Sequence, residues 1–336
     1  MRLGPREVRQ WLTRWPLNPG VQELCFVHWD DIARENWPTK PLIILRQLSD
    51  FARVYVLNGN WIQIAGLCPG AAMCGLYPLM VFLFALLAAG LFAFSIAIVV
   101  ISLVGKIWLA MILALMAAAI VMRLAWSAAD GLGVVWLTRS ILFTHRLGQA
   151  RDQALRRRVV QLADAIVELE QQVPAQKPLL IGHSSGSFVM AMLAAELKRR
   201  PEASALVERL ELLSLGQNFA NLAFYPRAEL FRHDLMLLAT PPRLTWLDIT
   251  SVDDLLCFAG VNPFESCGLP LPEGEAFPTM QLVDLRGPRG LTHKLQWLGQ
   301  LFELHFDYLC KPLSSFDLAG LLIGNSSVSE VIDHGA

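Results

Sequence analysis

Leu180-Ile181-Gly182-His183-Ser184-Ser185-Gly186-Ser187 is the stretch on which the fold of this chain turns. The apolar run Pro178-Leu179-Leu180-Ile181 precedes it, and a run rich in Ala, Met and Leu follows from Phe188 to about Arg199. A short strand therefore leads through a tight turn into a helix. The glycines fit such a turn for a steric reason: Ser184 at its apex forces close backbone approach, and a side chain at 182 or 186 would clash. The turn would present the Ser184 hydroxyl at the carboxyl edge of a sheet. There the Ser185 amide and the positive end of the helix dipole would face a developing oxyanion. Gly-x-Ser-x-Gly alone is a weak pattern, and its place between strand and helix is what makes Ser184 a candidate nucleophile rather than a structural turn residue. Ser185 and Ser187 fall out of frame and read as helix amino-terminal residues.

Working outward, the pattern alternates between helix and strand. Arg151 to Gln172 carries Leu155, Val159, Leu162, Ile166 and Leu169 at three- and four-residue spacing, an amphipathic helix. Apolar runs bounded by breakers recur at Leu210 to Leu215, Leu244 to Ile249 and Met280 to Leu285. Nearer the amino terminus, Glu23 to His28 offers a strand and Leu42 to about Val56 an amphipathic helix. This is the grammar of a mostly parallel α/β sheet.

A serine nucleophile needs a base, and the base an orienting acid; where the serine sits on such a turn, acid and then histidine follow in the chain. The segment Trp246 to Asp254 runs off a strand into a loop, where the acid belongs. Asp254 is the first choice for its distance from the strand end and the apolar pair behind it. Asp253 is second and Asp248, inside the strand, third; capping of a following helix is the structural alternative for Asp254. Of the seven histidines, His293, His305 and His334 lie beyond the acid. His334 is in the tail. His293 follows the last strand after Arg286-Gly287-Pro288-Arg289-Gly290, and His305 sits within Phe302 to Leu309. Spacing leaves both open.

Upstream lies the largest compositional signal. Hydrophobic residues make up 54% of the 336 and charged residues 17%, with a mean hydropathy of +0.44, so part of the chain belongs in lipid. From Val54 to Gly105 no charged side chain occurs, and from Leu76 to Met122 the only one is Lys106. Two passes of about 20 residues fit. We read a hairpin with helices over about 78–104 and 107–126, turning at Gly105-Lys106, the second rich in small residues that let membrane helices approach. Eight Lys or Arg precede Val54, and Arg123, Arg139, Arg146, Arg151 and Arg156 to Arg158 follow the hairpin. Basic flanks predict an inner-membrane protein with both termini cytoplasmic. The expected organisation is an amino-terminal part of the α/β domain over 1–60, the hairpin within 61–126, the main α/β domain over 127–322 and a polar, frayed tail over 323–336. With 28 Lys plus Arg against 29 Asp plus Glu, the charge excludes a global basic field for nucleic acid.

The six cysteines form no C-x-x-C pair and read as buried free thiols. Asp30 and Asp31 are neighbours that a helix would point apart, which favours helix capping over metal binding. No metal or cofactor is expected. Trp11, Trp15, Trp29, Trp37 and Trp61 suit either a membrane interface or a sheet core.

Four segments carry a resemblance: Val27 to Pro38, the Gly182 to Gly186 turn, Thr250 to Asp254, and Leu304 to Leu309. Together they resemble a group of bacterial membrane-anchored α/β-hydrolase-like proteins. The resemblance implies an α/β-hydrolase-like sheet interrupted by the hairpin. It favours His305 over His293 through the pattern His305-Phe306-Asp307-Tyr308-Leu309. Similar proteins carry an extra first strand and a Pro-Gly or His-Gly turn before the Trp-Asp-Asp segment, which this sequence lacks, and that turn normally supplies the second oxyanion amide. Two functions are therefore expected. One is a membrane-anchored serine hydrolase acting on ester or thioester substrates, including lipid-like ones, through an acyl-serine intermediate. The other is a catalytically impaired hydrolase-like membrane protein serving as a binding or scaffold module.

Overall fold

A computed structural model describes residues 7–9, 12–18, 22–35, 37, 40–151, 153–270, 277–285, 297–310, 316, 318–322 and 327–335. The chain opens with strands β1 (Glu7–Arg9), β2 (Leu12–Asn18) and β3 (Gln22–Val27), then α1 (Asp30–Glu35), α2 (Pro41–Ala52), a π-helical stretch Arg53–Leu57 and α3 (Asn60–Leu67). The long helices α4 (Pro69–Val104) and α5 (Ile107–Gly131) follow, then α6 (Val134–Gly148) and α7 (Gln153–Gln172). The remainder runs β4 (Leu179–His183), α8 (Gly186–Lys198), α9 (Ser204–Val207), β5 (Glu211–Leu215), α10 (Ala220–Ala223), α11 (Glu229–Ala239), β6 (Thr245–Thr250), α12 (Pro263–Ser266) and β7 (Thr279–Leu282). It closes with α13 (Trp297–Cys310), α14 (Leu318–Leu322) and α15 (Val328–Gly335).

The protein is mixed α/β, with one parallel sheet of four strands in the order β4-β5-β6-β7. β5 is buried along its whole length, as a central strand covered on both faces must be. On one face Leu213, Leu215, Leu247 and Ile249 pack with Leu304 and Tyr308 of α13, Phe316, Leu321 of α14 and Val328 of α15. Against the rest of the sheet lies α8, apolar on every side because it contacts β4 on one flank and α7 and α11 on others. Phe188, Phe219, Phe231 and Trp246 interlock there at ring separations between 5.7 and 6.4 Å.

Three expectations are corrected. The strand expected at Glu23 to His28 forms, but within a separate antiparallel sheet β1-β2-β3, so the apolar helices interrupt no single sheet. A short link from β2 to β3 permits only an antiparallel neighbour, since a parallel one needs a long crossover. Pro16, which lacks an amide to donate, sits in β2 where the register shifts. The described part of the tail, 327–335, is helical rather than frayed. Ser327 and Glu330 cap α15 reciprocally, with Ser327 N donating to Glu330 Oε2 at 2.7 Å and Glu330 N to Ser327 Oγ at 3.3 Å. The carboxylate of Glu211 accepts from Val328 N at 2.9 Å and complements the helix dipole. Nor are all six thiols buried, since Cys310 is exposed and Cys25 and Cys68 are partly so.

The chain divides into two compact units: Met1–Trp37, Ile62–Ala71 and Phe143–Ala336 form one, Pro38–Trp61 and Ala72–Leu142 the other. The stretch expected as 1–60 is therefore split. In the first unit, Arg158 of α7 grips Asp31 of α1 through two bonds of 2.9 and 2.8 Å and donates to His28 O. That contact anchors Asp31 to α7 and, with backbone amides in the first turn of α1, holds its carboxyl below the usual range. Trp29, half-buried, stacks on Phe143 at 6.0 Å.

In the second unit, α4 and α5 meet at Phe82 and Trp126, 5.9 Å apart, on either side of the expected turn. Both are long and apolar enough to cross a membrane, at about 54 and 38 Å against a hydrocarbon core of roughly 30 Å. Only 6% and 11% of their most apolar windows are buried, unlike the core helices of a soluble domain. Their buried positions include Ala85, Ala89, Ala110 and Ala117, the small residues that such pairs use. Their start at Pro69 and end at Gly131 extend the expected spans at both outer ends.

Candidate active site

The strand-to-helix turn forms where the sequence places it. Ser184 adopts φ +53°, a left-handed backbone that a non-glycine residue takes only when its surroundings impose it. They do so here: β4 ends at His183, α8 begins at Gly186, and Ser184 N donates to Leu215 O of the neighbouring strand at 3.0 Å. Gly182 is required, since a Cβ there would lie 2.7 Å from Ser187 Cα and 2.8 Å from Met190 Cβ. Gly186 corrects the expectation of a clash at both glycines, because a Cβ there would meet nothing within 4 Å. The first turn of α8 points outward at that position. Ser185 is the helix N-cap residue, and its amide has no acceptor among the described residues, leaving it open to an anion. Ser187 is buried and its hydroxyl bonds Gly182 O at 3.3 Å, a structural role.

At the exit of β6, Asp254 and His305 are brought together. His305 Nδ1 donates to Asp254 Oδ2 at 2.8 Å, with both side chains almost fully buried. Asp254 Oδ1 accepts from Leu256 N at 2.9 Å, which fixes the carboxylate from its own loop. With Nδ1 committed, Nε2 of His305 carries the lone pair that a base needs. Gly216, at the exit of β5, makes room for the pair: its φ is +53°, and a Cβ there would lie 2.8 Å from the Tyr308 ring and 3.0 Å from Asp254 Oδ2. Burial raises both the Tyr308 hydroxyl and the Cys257 thiol well above their ordinary ranges, so neither supplies a negative charge beside Asp254.

His183 is the neighbour that spacing does not reveal. Its Nε2–H donates to His305 O at 2.6 Å, and its ring lies 4.8 Å from the His305 ring. Burial, with the neighbouring His305 imidazole as the next cause, pulls its pKa down to about 4. Of the two adjacent imidazoles, only His305 hydrogen-bonds a carboxylate among the described residues. The chain neighbour of Ser184 thus ties the turn to α13. Among the described residues the Ser184 hydroxyl makes no hydrogen bond, so serine and histidine share one sheet edge without a direct bond between them.

The remaining candidates fall elsewhere. Asp253 is half-buried, and Ser251 Oγ accepts from its backbone amide at 3.2 Å. Asp248 points into the sheet, where Ser214 Oγ donates to it and Trp246 Nε1 donates to Ser214 Oγ at 2.9 Å. Burial raises its carboxyl to about 7. His293 lies outside the described residues. Among the described residues, no three His, Cys, Asp or Glu side chains converge as metal ligands would. No protein-family model, curated protein or solved structure matches the chain.

Proposed function

We propose that the protein is a membrane-anchored serine hydrolase of α/β-hydrolase type, acting on ester or thioester substrates through an acyl-Ser184 intermediate. One observation carries this reading: a serine held in the left-handed region between strand and helix, at the sheet edge where a buried histidine bonds a buried aspartate. In the reaction Ser184 Oγ attacks the carbonyl carbon and its proton passes to His305 Nε2. Asp254 stabilises the imidazolium, and the Ser185 amide faces the oxyanion. His305 returns the proton to the leaving alcohol or thiol. Water then repeats the sequence to release the acid and regenerate Ser184. Fluorophosphonate labelling of membranes containing the full chain checks this: the wild type labels and Ser184→Ala does not, whereas equal labelling contradicts it.

The basic flanks of the apolar tract support an inner-membrane hairpin with both ends in the cytoplasm. Reporter fusions at Met1 and Ala336 both read cytoplasmic under this reading, and a periplasmic signal from either end refutes it. A second reading, a hydrolase-like scaffold that binds without turnover, is favoured by the absence of a Ser184–His305 hydrogen bond among the described residues. Active sites without ligand often carry this bond long and close it only around substrate, so the hydrolase reading stands first.

A further inference from the structure

The first turn of α4 rests on the loop that carries Asp254. Cys68, just before that helix, donates through its thiol to Cys257 O at 3.5 Å, and a Cβ on Gly70 would lie 2.9 Å from Leu255 Cδ2. Both contacts lie within the unit that holds the Asp254–His305 pair. Gly70 itself lies inside the charge-free tract that runs from Val54 to Gly105. The acid loop is thus tied by packing and by covalent chain to the entrance of a helix long and apolar enough to cross a bilayer.

Three exposed apolar side chains flank the Asp254–His305 pair along the chain. Val252, two residues before Asp254, is 71% exposed; Phe306, beside His305, is 41% exposed; and Leu309, four residues on, is 47% exposed. The Phe306 ring lies 5.7 Å from the His305 ring and 5.4 Å from that of His183, so a large apolar surface adjoins the base itself. A polar, freely diffusing ester has no use for such a surface, and water is a poor neighbour for it. An acyl chain leaving a bilayer suits it.

Resting on the hydrolase reading above, we infer that the substrate is an amphipathic ester lipid drawn from the membrane that α4 and α5 are long and apolar enough to cross. Its ester C–O bond is cleaved, with water supplying the hydroxyl of the released fatty acid and a proton to the departing alcohol.

The test uses the full chain reconstituted in phosphatidylcholine/phosphatidylglycerol vesicles. A glycerolipid bearing a pyrene-labelled decanoyl ester is compared with p-nitrophenyl acetate and an acetyl thioester in the aqueous phase, and Ser184 is labelled in parallel with fluorophosphonate. The inference expects labelling, together with a vesicle-lipid turnover at least tenfold above either water-borne substrate. Labelling with faster turnover of p-nitrophenyl acetate or the acetyl thioester overturns the lipid assignment and leaves the serine hydrolase in place. No labelling overturns both.

Discussion

Two buried acids lie six residues apart on one segment of chain, and they meet opposite fates. Asp248 is inside β6, level across the sheet with Ser214 and Gly182, and has a hydroxyl as its hydrogen-bond donor. Asp254 is beyond the strand end and has an imidazole. A carboxylate buried among neutral donors tends to keep its proton, and burial accordingly holds Asp248 up at about 7. One that can share charge with a histidine is suited to orient a base. The strand interior builds the sheet, and its exit builds the site.

The sharpest way to break this contrast is to neutralise each acid in turn. Asp254→Asn lowers the fluorophosphonate labelling rate by about a hundred- to ten-thousandfold, because the amide no longer holds His305 in the tautomer that a base needs. His305→Ala lowers it at least as far. Asp248→Asn leaves labelling within about twofold. Equal losses from the two asparagine variants would erase the distinction between rim and interior.

A second test reads stability against pH in detergent micelles. The folded Asp248 holds its proton up to about 7 while an unfolded Asp releases it near 3.8, so folding stability falls as pH rises between those values. His183 acts oppositely. Its folded value of about 4 lies below the unfolded 6.5, so stability falls as pH drops from 6.5 to 4. Each shift corresponds to no more than about 3 to 4 kcal/mol, and between pH 4 and 6.5 the two slopes oppose. Asp248→Asn should therefore expose a melting temperature that rises with pH over that window, and His183→Phe one that falls. A flat profile in both variants contradicts the two burial assignments.

Smaller effects test the elements that frame the pair. Gly216→Ala places a Cβ against Tyr308 at a residue with φ +53°, and should cost about 2 kcal/mol in urea unfolding while slowing labelling. Glu211→Gln weakens the anionic cap on α15 and should cost about 1 kcal/mol with labelling unchanged. A loss of labelling there would mean that the tail helix supports the site, contrary to this account.

How much was legible follows from the range of the interactions. The four parallel strands, the turn at Ser184 and both apolar helices are local patterns, and the sequence places them within a few residues, the start of α4 excepted. Asp254 and His305 could be nominated by chain order, but their bond spans 51 positions, and only the packing of α13 on the sheet brings them together. His183 lay inside the motif itself at a position that the pattern leaves free, so nothing local marked its bond to His305 O. The tail helix, by contrast, had a readable signal in Ser327-x-x-Glu330, a capping box that its polar composition hid. β2 was hidden for a different reason: Pro16 argues against a strand, and only a bulge accommodates it.

The central claim is that Ser184, and not a neighbouring hydroxyl, is the nucleophile. Reaction of the full-length protein with a fluorophosphonate, followed by mass spectrometry of the peptide spanning Leu179 to Lys198, tests it directly. A single adduct on Ser184, lost in His305→Ala, is expected; an adduct on Ser185 or Ser187, or one that survives His305→Ala undiminished, would rule Ser184 out as the histidine-activated nucleophile.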